Sequence, residues 1–140
     1  MYNLYKPEQA VGLMEFVKAA KSCITEISPA QLKAKMDAKE DFLLVDVREH
    51  SEFEHGHISG AHIVPRGIIE AAADPTYAKK YPPLCEARDR QVVLYCATSG
   101  RSAMAAAVLQ MMGFKNVINM AGGYTGWEAE GLPTVREAEY

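Results

Sequence analysis

The chain has 140 residues, of which 49% are hydrophobic and 24% charged, and a formal net charge of −3. That is the size of one ordinary domain with enough apolar material for a real core. The mild acidity and scattered basic residues exclude nucleic acid and an anionic membrane surface as expected partners. Three cysteines, Cys23, Cys85 and Cys96, occur without a CxxC pair or metal-like Cys/His spacing. They fit reduced thiols in a cytoplasmic protein better than a disulfide framework, and no metal or organic cofactor is expected. No window approaches the ~18 apolar residues of a membrane span. Residues 1–25 lack the pattern of a secretory leader.

In chain order, Pro7 opens a helical pattern to about Lys21, with Ala10, Leu13, Met14, Val17 and Ala20 on one side. It reads as an extension over residues 1–22, ahead of an α/β domain over 23–140. Five short apolar runs read as strands: Cys23–Ile27, Phe42–Asp46, His62–Val64, Val92–Tyr95 and Val117–Asn119. Helical patterns at 28–38, 50–55, 102–112 and 123–130 alternate with them, which argues for a mostly parallel five-stranded sheet with helices on both faces. Ser28-Pro29 is an N-cap followed by a first-turn proline. Leu43-Leu44-Val45 and Val92-Val93-Leu94 are apolar throughout, as buried central strands are. Residues 71–90 form the longest irregular connection, where Asp74-Pro75 starts a short helix and Pro82-Pro83 stops it. Gly113 closes the long helix, and Gly122-Gly123 makes a tight turn before the last one. Trp127 reads as core or as a wall of the site, Cys23 as buried at a strand start, and Met104, Met111 and Met112 as packing.

The chemistry concentrates in Cys96-Ala97-Thr98-Ser99-Gly100-Arg101. A buried strand leads into it and a helix beginning near Ser102 leaves it. Ligands of open parallel sheets sit at such carboxyl ends. Backbone N–H groups of a loop of small residues converge on an anion; the helix N-terminus and Arg101 add positive charge. All three favour the thiolate, the nucleophilic form of Cys96. Ala97, Thr98, Ser99, Gly100, Arg101 and Ser102 are therefore the expected substrate-binding residues. Only four residues separate Cys96 from Arg101. Phosphatases built on a Cys and Arg cradle have five and need that width for a tetrahedral oxyanion, so the shorter ring suits one extra sulfur atom on Cys96.

Around this loop the chain resembles a single-domain rhodanese, a thiosulfate sulfurtransferase-like family, over about residues 24–135. The resemblance rests on ordered blocks: Leu44-Val45-Asp46-Val47-Arg48, the segment Glu52 to Ala61, Ile63-Val64-Pro65-Arg66-Gly67, the Cys96 loop, and Ala121 to Trp127 followed by Gly131-Leu132-Pro133. It implies a rhodanese-like fold and a sulfurtransferase in which Cys96 cycles between thiolate and persulfide. A small anionic sulfur donor such as thiosulfate, a persulfide or a polysulfide supplies the sulfur. A thiol, or cyanide in an assay, accepts it, and a protein persulfide carrier is a further candidate partner. Loops of this kind often carry glycine two residues before the arginine; this chain has Ser99 there and keeps Gly100. The alternatives are a Cys-dependent phosphatase or arsenate reductase on the same fold, and a non-catalytic rhodanese-like binding module.

Other candidates read as support. Asp46, at a strand end, is expected to bond neighbouring backbone N–H groups, and Arg48 to pair with a carboxylate such as Glu52. His57 and His62 are expected in structural hydrogen bonds. Arg66, beside Gly67, is expected at the pocket rim, where a second positive charge holds an anionic donor. Cys85 reads as an incidental thiol.

Overall fold

The computed structural model describes residues 7–136. The outer ends of the two expected segments, residues 1–6 and 137–140, lie outside the described residues. The elements run α1 (Leu13–Lys21), β1 (Thr25–Ile27), α2 (Pro29–Asp37), β2 (Leu43–Asp46), α3 (His50–His55) and β3 (His62–Ile63). A 3-10 turn (Arg66–Ile68) leads into α4 (Ile69–Ala73) and α5 (Pro82–Cys85). Then come β4 (Gln91–Tyr95), α6 (Gly100–Met111), β5 (Asn116–Met120) and α7 (Gly123–Ala129).

The strands form one sheet in the order β1-β5-β4-β2-β3, every neighbouring pair parallel. Side chains alternate across a strand, and this alternation builds two cores. Val45, Val92, Leu94 and Val117 face Ile69, Leu84, Ala105 and Leu109 of α4, α5 and α6. Leu44, Val93, Tyr95 and Ile118 face Leu32 of α2 and Trp127 of α7. The apolar runs of β2 and β4 are thus buried on both faces, with β4 at the centre. Ser28 caps α2 as expected: its hydroxyl accepts from Gln31 N, and Gln31 returns the bond to Ser28 N.

Several expectations are corrected. The first helix starts at Leu13, not Pro7, with Gly12 as its N-cap. Glycine costs about 1 kcal/mol inside a helix, and Ala10 and Val11 are exposed, so no packing offsets it. Of the proposed apolar face only Val17 and Ala20 are buried; Leu13 and Met14 are 67% and 72% exposed. Residues 74–79 form no helix: Asp74 instead accepts from the backbone N–H and hydroxyl of Thr76 in a local turn. Pro82-Pro83 open α5 rather than stop a helix, because a proline at the first helical position gives up only an N–H that has no partner there. Cys23 is exposed, since β1 begins two residues later at the sheet edge. Met111 is also exposed.

Among the described residues no helix is long and apolar enough to cross a membrane.

Candidate active site

The central strand β4 delivers Cys96 to the carboxyl edge of the sheet, and the chain then turns within three residues into α6. Cys96 itself is 1% exposed. It packs with the apolar core beneath α6, yet its sulfur has two polar neighbours. The Ser99 backbone N–H donates to Sγ at 3.1 Å, and the Ser102 hydroxyl stands 3.3 Å from Sγ and 3.2 Å from the Ser99 carbonyl. The Ser99 amide reaches back because Ser99 has φ 107°, the left-handed region that favours glycine. One amide and one hydroxyl, rather than an amide ring alone, therefore receive the sulfur.

The loop is held from behind by α7. Tyr124 N donates to the Cys96 carbonyl at 2.7 Å and Thr125 N to the Ala97 carbonyl at 2.9 Å. This close approach needs Gly123: at φ 60°, a Cβ there would run into the Ala97 carbonyl and stand 2.7 Å from the Cys96 carbonyl oxygen. Gly123 is therefore more than the turn former its sequence suggests: it admits the Cys96 loop.

Charges are distributed differently from expectation. Arg48 does not pair with Glu52. It binds Asp46 through Nε and Nη2, at 2.8–3.1 Å, and the Gly56 carbonyl at 2.8 Å. Its guanidinium also lies 4.3 Å from the Tyr124 ring centroid. Asp46 further accepts from Arg48 N at 2.9 Å, the neighbouring-amide bond expected of it. Arg48 is kept from Glu52 because Asp46 is two residues away and equally buried. Glu52 is taken by Arg101 in a two-pronged pair, Nη1–Oε1 at 2.8 Å and Nη2–Oε2 at 3.0 Å. The Arg101 hydrogen bonds hold the Glu52 carboxyl well down, at about 2, and Glu52 in turn raises Arg101. The Arg101 charge, expected to serve Cys96, is thus paired with a carboxylate. The capping box at the start of α3 helps place Glu52, whose Oε1 accepts from Glu49 N at 3.0 Å.

Two clefts flank the loop. One, of about 520 Å³, is lined by Ala97 with Arg48, Glu52, Gly56 and Tyr124. The other, of about 430 Å³, lies between α1 and the loop and is lined by Thr98, Ser99, Gly100 and Arg101 with Leu13 and Met104. Met104 is therefore a cleft wall rather than packing alone. Arg66 lines neither cleft; its guanidinium lies 3.6 Å from Glu70. His57 is buried, stacked on Phe53, with Nδ1 2.9 Å from the Phe53 carbonyl. His62 Nδ1 lies 2.5 Å from the Tyr81 hydroxyl, and burial lowers its pKa. Trp127 is fully buried, donating to the Pro133 carbonyl. Cys85 donates to the Ala72 carbonyl.

Known proteins place this geometry. A sulfurtransferase from Allochromatium vinosum is 35% identical over 112 residues, covering 80% of this chain and 95% of its own. The probable adenylyltransferase/sulfurtransferase MoeZ of Mycobacterium tuberculosis is 32% identical over 128 residues, and this chain spans only 30% of that longer protein. A solved structure from Rhodopseudomonas palustris, described as a protein of unknown function and possible tyrosine phosphatase, superposes with a TM-score of 0.83 at 33% identity, covering 91% of this chain and 98% of that one. The family of rhodanese-like domains matches residues 28–130, from the capped start of α2 to the end of α7. With the parallel sheet and the Cys96 loop at its centre, this chain belongs to the rhodanese-like family.

Proposed function

We propose that the protein transfers a sulfane sulfur from thiosulfate, or from a persulfide or polysulfide donor, to a thiophilic acceptor through a persulfide on Cys96. The observation that carries this reading is the pair of donors on Cys96 Sγ, the Ser99 amide and the Ser102 hydroxyl. Both stabilise negative charge on sulfur in a site shielded from water, where such donors act most strongly. The Cys96 thiolate attacks the outer sulfur of thiosulfate. A Cys–S bond forms, the S–S bond of the donor breaks, and its electron pair leaves with sulfite. The Cys96 persulfide anion keeps the remaining charge. Cyanide, or a thiolate, then attacks the outer persulfide sulfur and leaves as thiocyanate or a new persulfide, returning Cys96 as thiolate. Two covalent half-reactions mean ping-pong kinetics.

In this scheme Ala97, Thr98, Ser99, Gly100 and Ser102 form the cradle, and Arg101 braces it through Glu52. Asp46 and Arg48 are structural support beneath it. The relatives named as sulfurtransferases support the reaction class. Mass spectrometry after thiosulfate treatment tests it: the expected result is a gain of one sulfur atom, removed by cyanide and absent in Cys96→Ser. No sulfur gain on the wild-type chain with thiosulfate, polysulfide or glutathione persulfide overturns it.

The possible-phosphatase description of the R. palustris structure supports a second reading. The four-residue Cys-to-Arg spacing counts against it, and hydrolysis of an aryl phosphate at a rate comparable with sulfur transfer would favour it.

A further inference from the structure

Lys21, the last residue of α1, lies before the 28–130 span that defines the family. Its ammonium donates to the Ser99 hydroxyl at 2.7 Å and stands 3.7 Å from Glu26. Ser99 is the residue whose amide reaches the Cys96 sulfur, and it does so in a left-handed conformation that strains a non-glycine residue. Something must hold it there. On its carbonyl side Ala103 N donates at 2.9 Å and Asn119 Nδ2 at 3.4 Å. On its side-chain side the partner is Lys21.

The helix that carries Lys21 is seated for this. Ala20 packs with Ala103 and Ala107 of α6, three small side chains that let the helices approach closely. Val17, one turn before Lys21, lies beside Gly100, so the start of α6 and α1 are in close proximity at the loop. Glycine at position 99 would adopt the same backbone without strain, but it would offer Lys21 nothing to bind. Ser99 and Lys21 thus act as a matched pair, and the serine is explained by the lysine.

We propose that Lys21 is a positioning residue for sulfur transfer. It holds the Ser99 hydroxyl so that the Ser99 amide stays on the Cys96 sulfur. The inference rests on the reading of Cys96 as the persulfide carrier. It makes α1 a working part of the site.

The test is a double-mutant cycle on the full chain with Lys21→Met, Ser99→Gly and the pair. The readout is the second-order rate constant for Cys96 persulfide formation from thiosulfate, followed by mass spectrometry of quenched samples. Lys21→Met is expected to lower it about tenfold, the scale of a lost hydrogen bond to a charged group. Lys21→Arg should recover most of that loss. In the Ser99→Gly background, Lys21→Met should change the rate constant less than twofold, because the lysine no longer has its partner. A full tenfold loss in that background, no loss in the wild-type background, or no recovery with arginine overturns the proposal. A wild-type chain that forms no persulfide overturns the underlying reading of Cys96, and the positioning role with it. Normal persulfide formation with a flat cycle overturns the positioning role alone.

Discussion

Arg101 and Glu52 face each other as fork to fork, with both carboxylate oxygens engaged at 2.8 and 3.0 Å. The pair ties the first turn of α6 to α3, two elements 49 residues apart in the chain. Bidentate pairs of this kind add geometric specificity to charge. Glu52→Gln keeps the shape but removes the negative charge and turns one of the two acceptors into a donor facing Arg101. It is expected to lower the rate of persulfide formation several-fold through a looser loop, while Arg101→Ala, which removes the guanidinium altogether, costs about 10–100-fold. Stopped-flow measurement of sulfite release checks both. If turnover of Arg101→Ala matched wild type, the bracing role would be wrong.

The same pair predicts an acid limb of stability. The Glu52 carboxyl sits at about 2 in the folded protein against an ordinary 4.5, because Arg101 holds it as carboxylate. The unfolded chain therefore binds a proton first as pH falls. The contribution is fully present above about pH 4.5 and is lost as pH falls toward 2. Urea titrations of wild type and Glu52→Gln across that window should converge at the acid end, and parallel curves would contradict the assignment.

Asp46 and Arg48 form a fully buried ion pair under the loop. Removing one partner leaves an uncompensated charge in the core, which typically costs about 3–5 kcal/mol. Asp46→Ala should therefore lower the unfolding midpoint far more than Glu52→Gln does. A calorimetric scan showing the two variants equally stable would refute the support role of Asp46.

Gly123 is expected to tolerate no side chain. Gly123→Ala combines a positive φ with a collision against the Cys96 and Ala97 carbonyls, so a loss of about 2–4 kcal/mol is expected. Gly113→Ala serves as the control: it has a positive φ too, but no atom within contact range. It should be the milder change by chemical denaturation, and a reversed ranking would place the loop contact elsewhere.

Much of this architecture is legible in the chain. All five strands and the four main helices of the α/β domain appear where the apolar runs and caps indicate, and α3 spans residues 50–55 as expected. Apolar patterning and capping are local signals, and they survive folding. The Cys96 loop is legible for the same reason, because strand, small residues and helix start follow one another directly. What escaped is non-local. Arg48 has two acidic residues in reach along the chain, Asp46 and Glu52. Only the adjacency of β2 and β4 reveals that Glu52 is needed by Arg101. The Lys21–Ser99 bond joins residues 78 positions apart, and no periodicity encodes it. Leu13 and Met14 lie on the apolar side that the sequence shows and are nonetheless exposed, because a hydrophobic stripe says which side is apolar, not how much of it finds a surface to cover.

The bonds from Tyr124 and Thr125 to the Cys96 and Ala97 carbonyls carry a consequence for biosynthesis. The cysteine leaves the ribosome well before the backbone that shapes its surroundings. The carbonyls of residues 96 and 97 therefore gain these partners only once β5 lies beside β4 and Gly123 has followed. If Cys96 carries sulfur as proposed, its site is completed by the C-terminal elements and not by the strand that bears it.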